Sequence, residues 1–119
     1  MPDQCREPGT GHPITVAPLG RRVVVRAGGR IVVDTENALA LREASYPPVY
    51  YLPRADADMT LLARSDSQTR CPYKGLASYY SLPGAPDAVW TYEDPCPSVA
   101  AIRDHLAFYP DRVDSIEVG

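Results

Sequence analysis

The stretch Arg70-Cys71-Pro72-Tyr73-Lys74-Gly75 sets a thiol, a phenol and an ammonium side by side, and Lys74 is the only lysine in a chain with eleven arginines. An ammonium beside a thiol favours the thiolate, so Cys71 is a candidate nucleophile. Lys74 is a second candidate, as a nucleophile itself or as the group that stabilises a developing negative charge. A catalytic thiolate also needs a proton acceptor, and neither histidine, His12 nor His105, is placed beside Cys71 by its position in the sequence. The plainer alternative is a turn, with Pro72 at its first central position, Gly75 at its end and Cys71 in a small apolar niche. On that reading Lys74 is a compact donor to a ligand oxygen or an ordinary solvated ammonium.

Tyrosine supplies the second signal. Eight tyrosines stand against one phenylalanine and one tryptophan, and a water-free core has no use for so many hydroxyls. Aromatic bodies with polar tips suit a pocket wall, and strand alternation can bring Tyr79 together with Trp90 or Tyr92 on one face. The candidate ligand-binding set is Tyr51, Tyr79, Trp90 and Tyr92 as walls, with Lys74, Arg54 and Glu43 as polar anchors. The plain alternative for each aromatic is a core residue with its tip in water, and for Glu43 a solvated surface carboxylate. Nothing in the spacing indicates a metal or a bound cofactor: the chain has no HxH, HExxH, CxxC or Gly-rich phosphate loop.

The elements that must hold these residues read as mainly β. Residues 1–12 are polar and rich in Pro and Gly, which predicts a loosely held arm, and residues 13–119 form a single domain. The runs "RRVVVRA" and "RIVVD" flank Gly28-Gly29, the pair a tight hairpin loop needs. Glu36 to Glu43 could start a helical turn, stopped by Tyr46-Pro47-Pro48, and Val49 to Leu52 reads as a buried strand. Residues 54–66 read as a turn followed by a short extended piece. "LASYYSL" and "AVWTYED" predict two strands joined by the loop from Leu82 to Asp87. Val99, Ile102 and Leu106 stand at helical spacing in Pro97–Leu106, and the chain closes as strand, Pro-Asp turn and strand. The sum is a small antiparallel fold with one or two short helices.

Composition narrows the function classes. A net charge of −3 and a pI near 5.2 argue against a phosphate-backbone binder, so nucleic acid is an unlikely partner, although tyrosine stacking on single strands keeps that class formally open. No segment has the length or apolarity of a membrane span, and the N-terminus lacks the apolar core of a signal peptide, so a cytoplasmic protein with reduced thiols at Cys5, Cys71 and Cys96 is expected. The expected partner is a small molecule or modified residue, an enzyme using Cys71 or Lys74 is the alternative, and a homodimer through an exposed strand edge at "VDSIEV" is a third reading.

Four segments, "PPVYYLPRAD" (47–56), "CPYKGLASYYS" (71–81), "AVWTYEDPCP" (88–97) and "HLAFYPDRVDSIE" (105–117), resemble in order the bacterial and fungal family called domain of unknown function 427. The resemblance implies a β-tent fold, similar in architecture to the thalidomide-binding domain of cereblon and to methionine sulfoxide reductase B, with a ligand groove between its sheets. It implies a zinc-free version, since the two CxxC pairs of many β-tent proteins are missing here. Members of the family often carry a histidine shortly before CPYKG, where this chain has Ser67. The family has also been labelled nucleotidyltransferase-like, and no carboxylate pair or phosphate loop here supports that label.

Overall fold

β-Branched and aromatic runs, cut short by prolines, give ten strands in the computed structural model, which describes residues 5–119. They are β1 (Ile14–Pro18), β2 (Val23–Ala27), β3 (Arg30–Thr35), β4 (Leu39–Glu43), β5 (Val49–Pro53), β6 (Ala63–Cys71), β7 (Gly75–Leu82), β8 (Ala85–Tyr92), β9 (His105–Phe108) and β10 (Ser115–Val118). Every pairing among them is antiparallel. One sheet has the order β1-β4-β5-β9-β8-β7-β6 and the other β10-β2-β3, which leaves one edge of β10 unpaired among the described residues. The β2–β3 hairpin turns at Gly28 and Gly29, whose φ values of 60° and 76° are those a tight two-residue loop requires of both positions.

Alternation divides the seven-stranded sheet into two faces. One face packs Leu52, Leu82, Val89, Leu106 and Phe108 against Val23, Val25, Val32 and Val33 of the smaller sheet. The other gathers Leu41, Tyr51, Ala77, Tyr79 and Tyr92 with Val99 and Ile102. That second face is concave, as a side-chain contact across it shows. β4 and β7 are four strand spacings apart in the sheet order, roughly 19 Å if the sheet were flat. Yet the Glu43 carboxylate at the end of β4 meets the Lys74 ammonium just before β7 at 2.5 Å. Only a sheet curled toward this face brings the two together.

Three sequence expectations give way to tertiary pairing. Glu36 to Glu43 makes no helical turn: Leu39–Glu43 is strand, hydrogen-bonded to β1 on one side and β5 on the other. Pro97–Leu106 is not one helix. A 3₁₀ segment covers Pro97–Ile102, broken at Val99 (φ −125°), while Leu106 belongs to β9 between β5 and β8. The extended piece after residue 62 runs on to Cys71 as a nine-residue strand, "ARSDSQTRC". Its residues are nearly all polar and exposed, so it carries no apolar alternation, and β7 alone holds it as the edge.

The cysteines also depart from expectation. Cys5 and Cys96 form a disulfide and only Cys71 is a free thiol. Ninety-one residues separate the pair in sequence, so no local spacing announced it. Residues 5–12, read from sequence as part of a loose arm, follow the domain surface. Their contacts are this disulfide, a hydrogen bond from the Arg6 amide to the Pro72 carbonyl (2.7 Å) and those of His12.

Candidate functional site

The β7–β8 register sets Tyr79 opposite Trp90 and Ala77 opposite Tyr92. The small Ala77 leaves room for the Tyr92 ring beside it. Two strands away, Leu39 faces Tyr51 across β4–β5, so Tyr51 enters the same hollow from the other wall. Trp90 and Tyr51 meet edge-on, with ring centroids 6.4 Å apart at 88°, and the Trp90 Nε1–H donates to the Tyr51 hydroxyl at 3.2 Å. Tyr109, just beyond β9, packs its ring 4.6 Å from that of Trp90. These aromatics, with Leu41 and Val49, surround a pocket of about 190 Å³ whose polar end is Lys74 and Glu43.

Lys74 owes its position to the β6–β7 hairpin. Cys71 pairs with Gly75, so Pro72, Tyr73 and Lys74 form the loop, as the turn reading expects. Gly75 has φ +109°, and a Cβ there would come within 3.4 Å of the Asp94 carbonyl oxygen and 3.5 Å of the Cys96 nitrogen. The next loop is laid directly on the turn, and the Cys96 amide donates to the Lys74 carbonyl at 2.9 Å.

A three-residue polar chain closes the cup. The Lys74 ammonium, 11% exposed, donates to one Glu43 oxygen, and His12 Nε2 bonds the other at 2.6 Å. The His12 ring stacks on Tyr73 with centroids 4.2 Å apart and planes within 10°. Burial alone would raise the Glu43 carboxyl, but the hydrogen bond from Lys74, then that from His12, and their charges outweigh it, and the net shift is below the ordinary 4.5. The ionised Glu43 is the acceptor that the Lys74 Nζ faces at this end of the pocket. Tyr51 and Tyr92 shift upward, chiefly by burial, so both keep their protons. The Tyr51 oxygen accepts from Trp90, and its own O–H is a further donor. The Thr69 hydroxyl shares a hydrogen with the Tyr79 hydroxyl at 2.8 Å.

Of the sequence candidates, Glu43, Tyr51, Lys74, Tyr79, Trp90 and Tyr92 meet in this pocket. Arg54 does not. It follows β5 and lies over Tyr80, 5.5 Å from the ring centroid, with Nε donating to the Asp104 carbonyl (3.0 Å). Cys71 is half-buried at the end of β6 and is no wall of the pocket, though a charge on it would be felt by Tyr51 and Tyr92. His12 and Tyr109 are the residues sequence reasoning passed over. Ile14 lies opposite Glu43 in the β1–β4 ladder, and that pairing, invisible before the topology is known, carries His12 to the carboxylate.

Two other hollows bear on the choice of site. A broad depression of about 670 Å³ between Gly84–Asp87 and Asp111–Asp114 is larger but has neither aromatic wall nor lysine. An apolar cleft of about 310 Å³, walled by Tyr50, Leu52, Phe108 and Ile116, shares Val49 and Trp90 with the aromatic pocket. Among the described residues no helix is long and apolar enough to cross a membrane, and no group of three or more His, Cys, Asp and Glu side chains converges as metal ligands would.

Fold and site together define a class: an antiparallel β domain curled around a tyrosine-walled hollow, with one lysine at its polar end. The chain belongs to the family described as Domain of unknown function (DUF427), which it matches over residues 15–119. No curated protein matches it. Cys5 and His12 lie before the matched region.

Proposed function

We propose that the protein is a small-molecule binding module that takes a flat, ring-sized ligand carrying a carbonyl or carboxylate oxygen. The observation behind this reading is the convergence of Lys74, Tyr51, Trp90, Tyr79 and Tyr92 on one hollow of about 190 Å³. A dry cavity of about 150 Å³ holds benzene, so a single substituted ring is the natural occupant. The free donors, Lys74 and the Tyr51 hydroxyl, select an acceptor on that ring, while the aromatic walls contribute stacking and exclude water. The Glu43 carboxylate already has both oxygens engaged and so offers little to a cationic guest.

The enzyme alternative has less support. The Lys74 Nζ is engaged with the Glu43 carboxylate, an arrangement that suits a hydrogen-bond donor better than a nucleophile. Neither histidine partners Cys71: His12 is committed to Glu43, and His105 Nδ1 pairs with the Arg103 carbonyl.

The direct test compares the native and denatured masses of freshly purified protein, then titrates benzoate, nicotinate and uracil while reading the fluorescence of Trp90, the sole tryptophan. The expected result is a bound small molecule or a saturable change with at least one acceptor-bearing ring, and calorimetric titration of that ring into Trp90→Ala, which has no tryptophan left to report, should show no binding. Undiminished binding by a folded Trp90→Ala protein would sink the reading.

A further inference from the structure

We infer that the aromatic pocket and the apolar cleft beside it are two halves of one ligand site, and that the guest is a ring carboxylate or carbonyl compound bearing an apolar chain of several carbons. This names the substituent of the ligand proposed above and rests on that reading.

The two hollows meet because the seven-stranded sheet is split. β5 and β9 pair only at Leu52–Leu106 and Pro53–His105. Beyond those pairs β5 follows β4 back to Val49, β9 follows β8 on to Phe108, and no ladder joins them. Trp90 lies across the split. Its neighbour on β9 is the small Ala107, so the indole leans over β9 and its Nε1–H reaches the Tyr51 hydroxyl on β5. Trp90 and Val49 are in consequence walls of both hollows, the aromatic pocket on the concave face and the cleft toward the smaller sheet.

The cleft has the shape and chemistry of a slot for a chain. Val25 and Ile116, paired neighbours on the smaller sheet, stand across it from Leu52 and Phe108 of the larger one. Val25, Leu52 and Phe108 are at most 5% exposed, a floor recessed too far for a flat protein surface and within reach of a thin hydrocarbon. Pro48 and Pro110 also line it, and neither has a backbone N–H for an apolar guest to leave unpaired. A dry cavity of about 150 Å³ takes a six-carbon ring, so the cleft, at about 310 Å³, has room for a six-carbon chain. The aromatic pocket, at about 190 Å³, is filled by the ring alone. A chain passing Trp90 and Val49 therefore adds apolar burial that the ring cannot reach.

Calorimetric titration of the full chain with benzoate and its 3-alkyl and 4-alkyl derivatives, from methyl to hexyl, tests the inference. In at least one series affinity should rise about fourfold per methylene, the fold-change for one CH₂ taken out of water. Ile116→Phe fills the cleft and touches no wall of the aromatic pocket. It should cut the ratio of hexyl to unsubstituted affinity at least tenfold. In the parent, the δ1-methyl resonance of Ile116 should shift with the hexyl compound and not with benzoate, with Ile31, exposed on β3, as internal reference. Benzoate binding with no gain along either series would overturn the inference and leave the binding reading standing. A gain that leaves the Ile116 resonance in place and survives Ile116→Phe would also overturn it, because the chain then lies elsewhere. Failure of every member to bind would remove both.

Discussion

The two faces of the seven-stranded sheet are built by alternate residues of the same strands and could hardly be less alike. Toward the smaller sheet the strands present Leu52, Leu82, Val89, Leu106 and Phe108, side chains that need nothing but neighbours. Toward the concave side they present Tyr51, Tyr79, Trp90 and Tyr92, with hydroxyls and an indole N–H to satisfy. Adjacent residues show the switch: Tyr51 and Leu52 are each 1% exposed, yet one lines the pocket and the other the inter-sheet core. The aliphatic face contributes stability with little chemistry. The aromatic face gives up ideal packing for a hollow and a chain of polar contacts.

The largest expected difference follows from cutting the aliphatic face. Leu106→Ala removes a side chain with 0% exposure from β9, where strands pack on both sides and cannot close over the gap. Urea unfolding should show a loss of about 2–5 kcal/mol, while Trp90 emission in the folded state stays near that of the parent. A loss well below that range would mean the inter-sheet core is looser than its burial implies.

A smaller loss is expected on the aromatic face. Tyr51→Phe keeps the ring against Trp90 and Tyr92 but removes the oxygen that accepts the Trp90 Nε1–H. Unfolding should cost about 1 kcal/mol, the net worth of one part-buried hydrogen bond. In contrast to Leu106→Ala, the Trp90 emission maximum should shift in the folded state. Equal stability with unchanged emission would detach Tyr51 from Trp90.

How far this contrast was legible in the sequence depends on the range of the interaction. Alternation in "LASYYSL" and "AVWTYED" and the tyrosine excess pointed to an aromatic face, and the Pro72–Gly75 stretch announced its own turn; both are local signals. The rest was set by partners distant in sequence. Arg54 was expected as a polar anchor, but the chain leaves β5 on the Tyr80 side. Glu43 was legible as a carboxylate near an aromatic wall, whereas its two partners are 31 residues away in opposite directions, His12 brought by the β1–β4 pairing and Lys74 by the curl of the sheet. β6 was only half visible, because an exposed edge strand has no buried face to impose a pattern. The Cys5–Cys96 pair joins the chain's N-terminal region to its C-terminal third, beyond the reach of any motif.

The finest test of the contrast is a pH dependence confined to the aromatic face. Glu43 titrates below its ordinary 4.5 in the folded protein because Lys74 and His12 overcome the upward push of burial. The unfolded chain therefore binds more protons than the folded one just below that value. The stability contributed by Glu43 is fully present above about 4.5 and is lost as pH falls through the depressed folded value. Lys74→Met removes the leading downward influence and should flatten this part of the acid limb. Asp34, lowered by its hydrogen bond to Arg22, and Asp87, lowered by Ser65 and then Ser67, titrate in the same direction but lie away from the pocket. They cancel when the change in urea midpoint between neutral and acid pH is compared for parent and Lys74→Met. The residual, smaller than the Tyr51→Phe loss because the pair keeps some contact with solvent, measures the coupling of Glu43 to Lys74. A residual of zero would reduce their contact to proximity, and the cup would then be closed by sheet curvature alone.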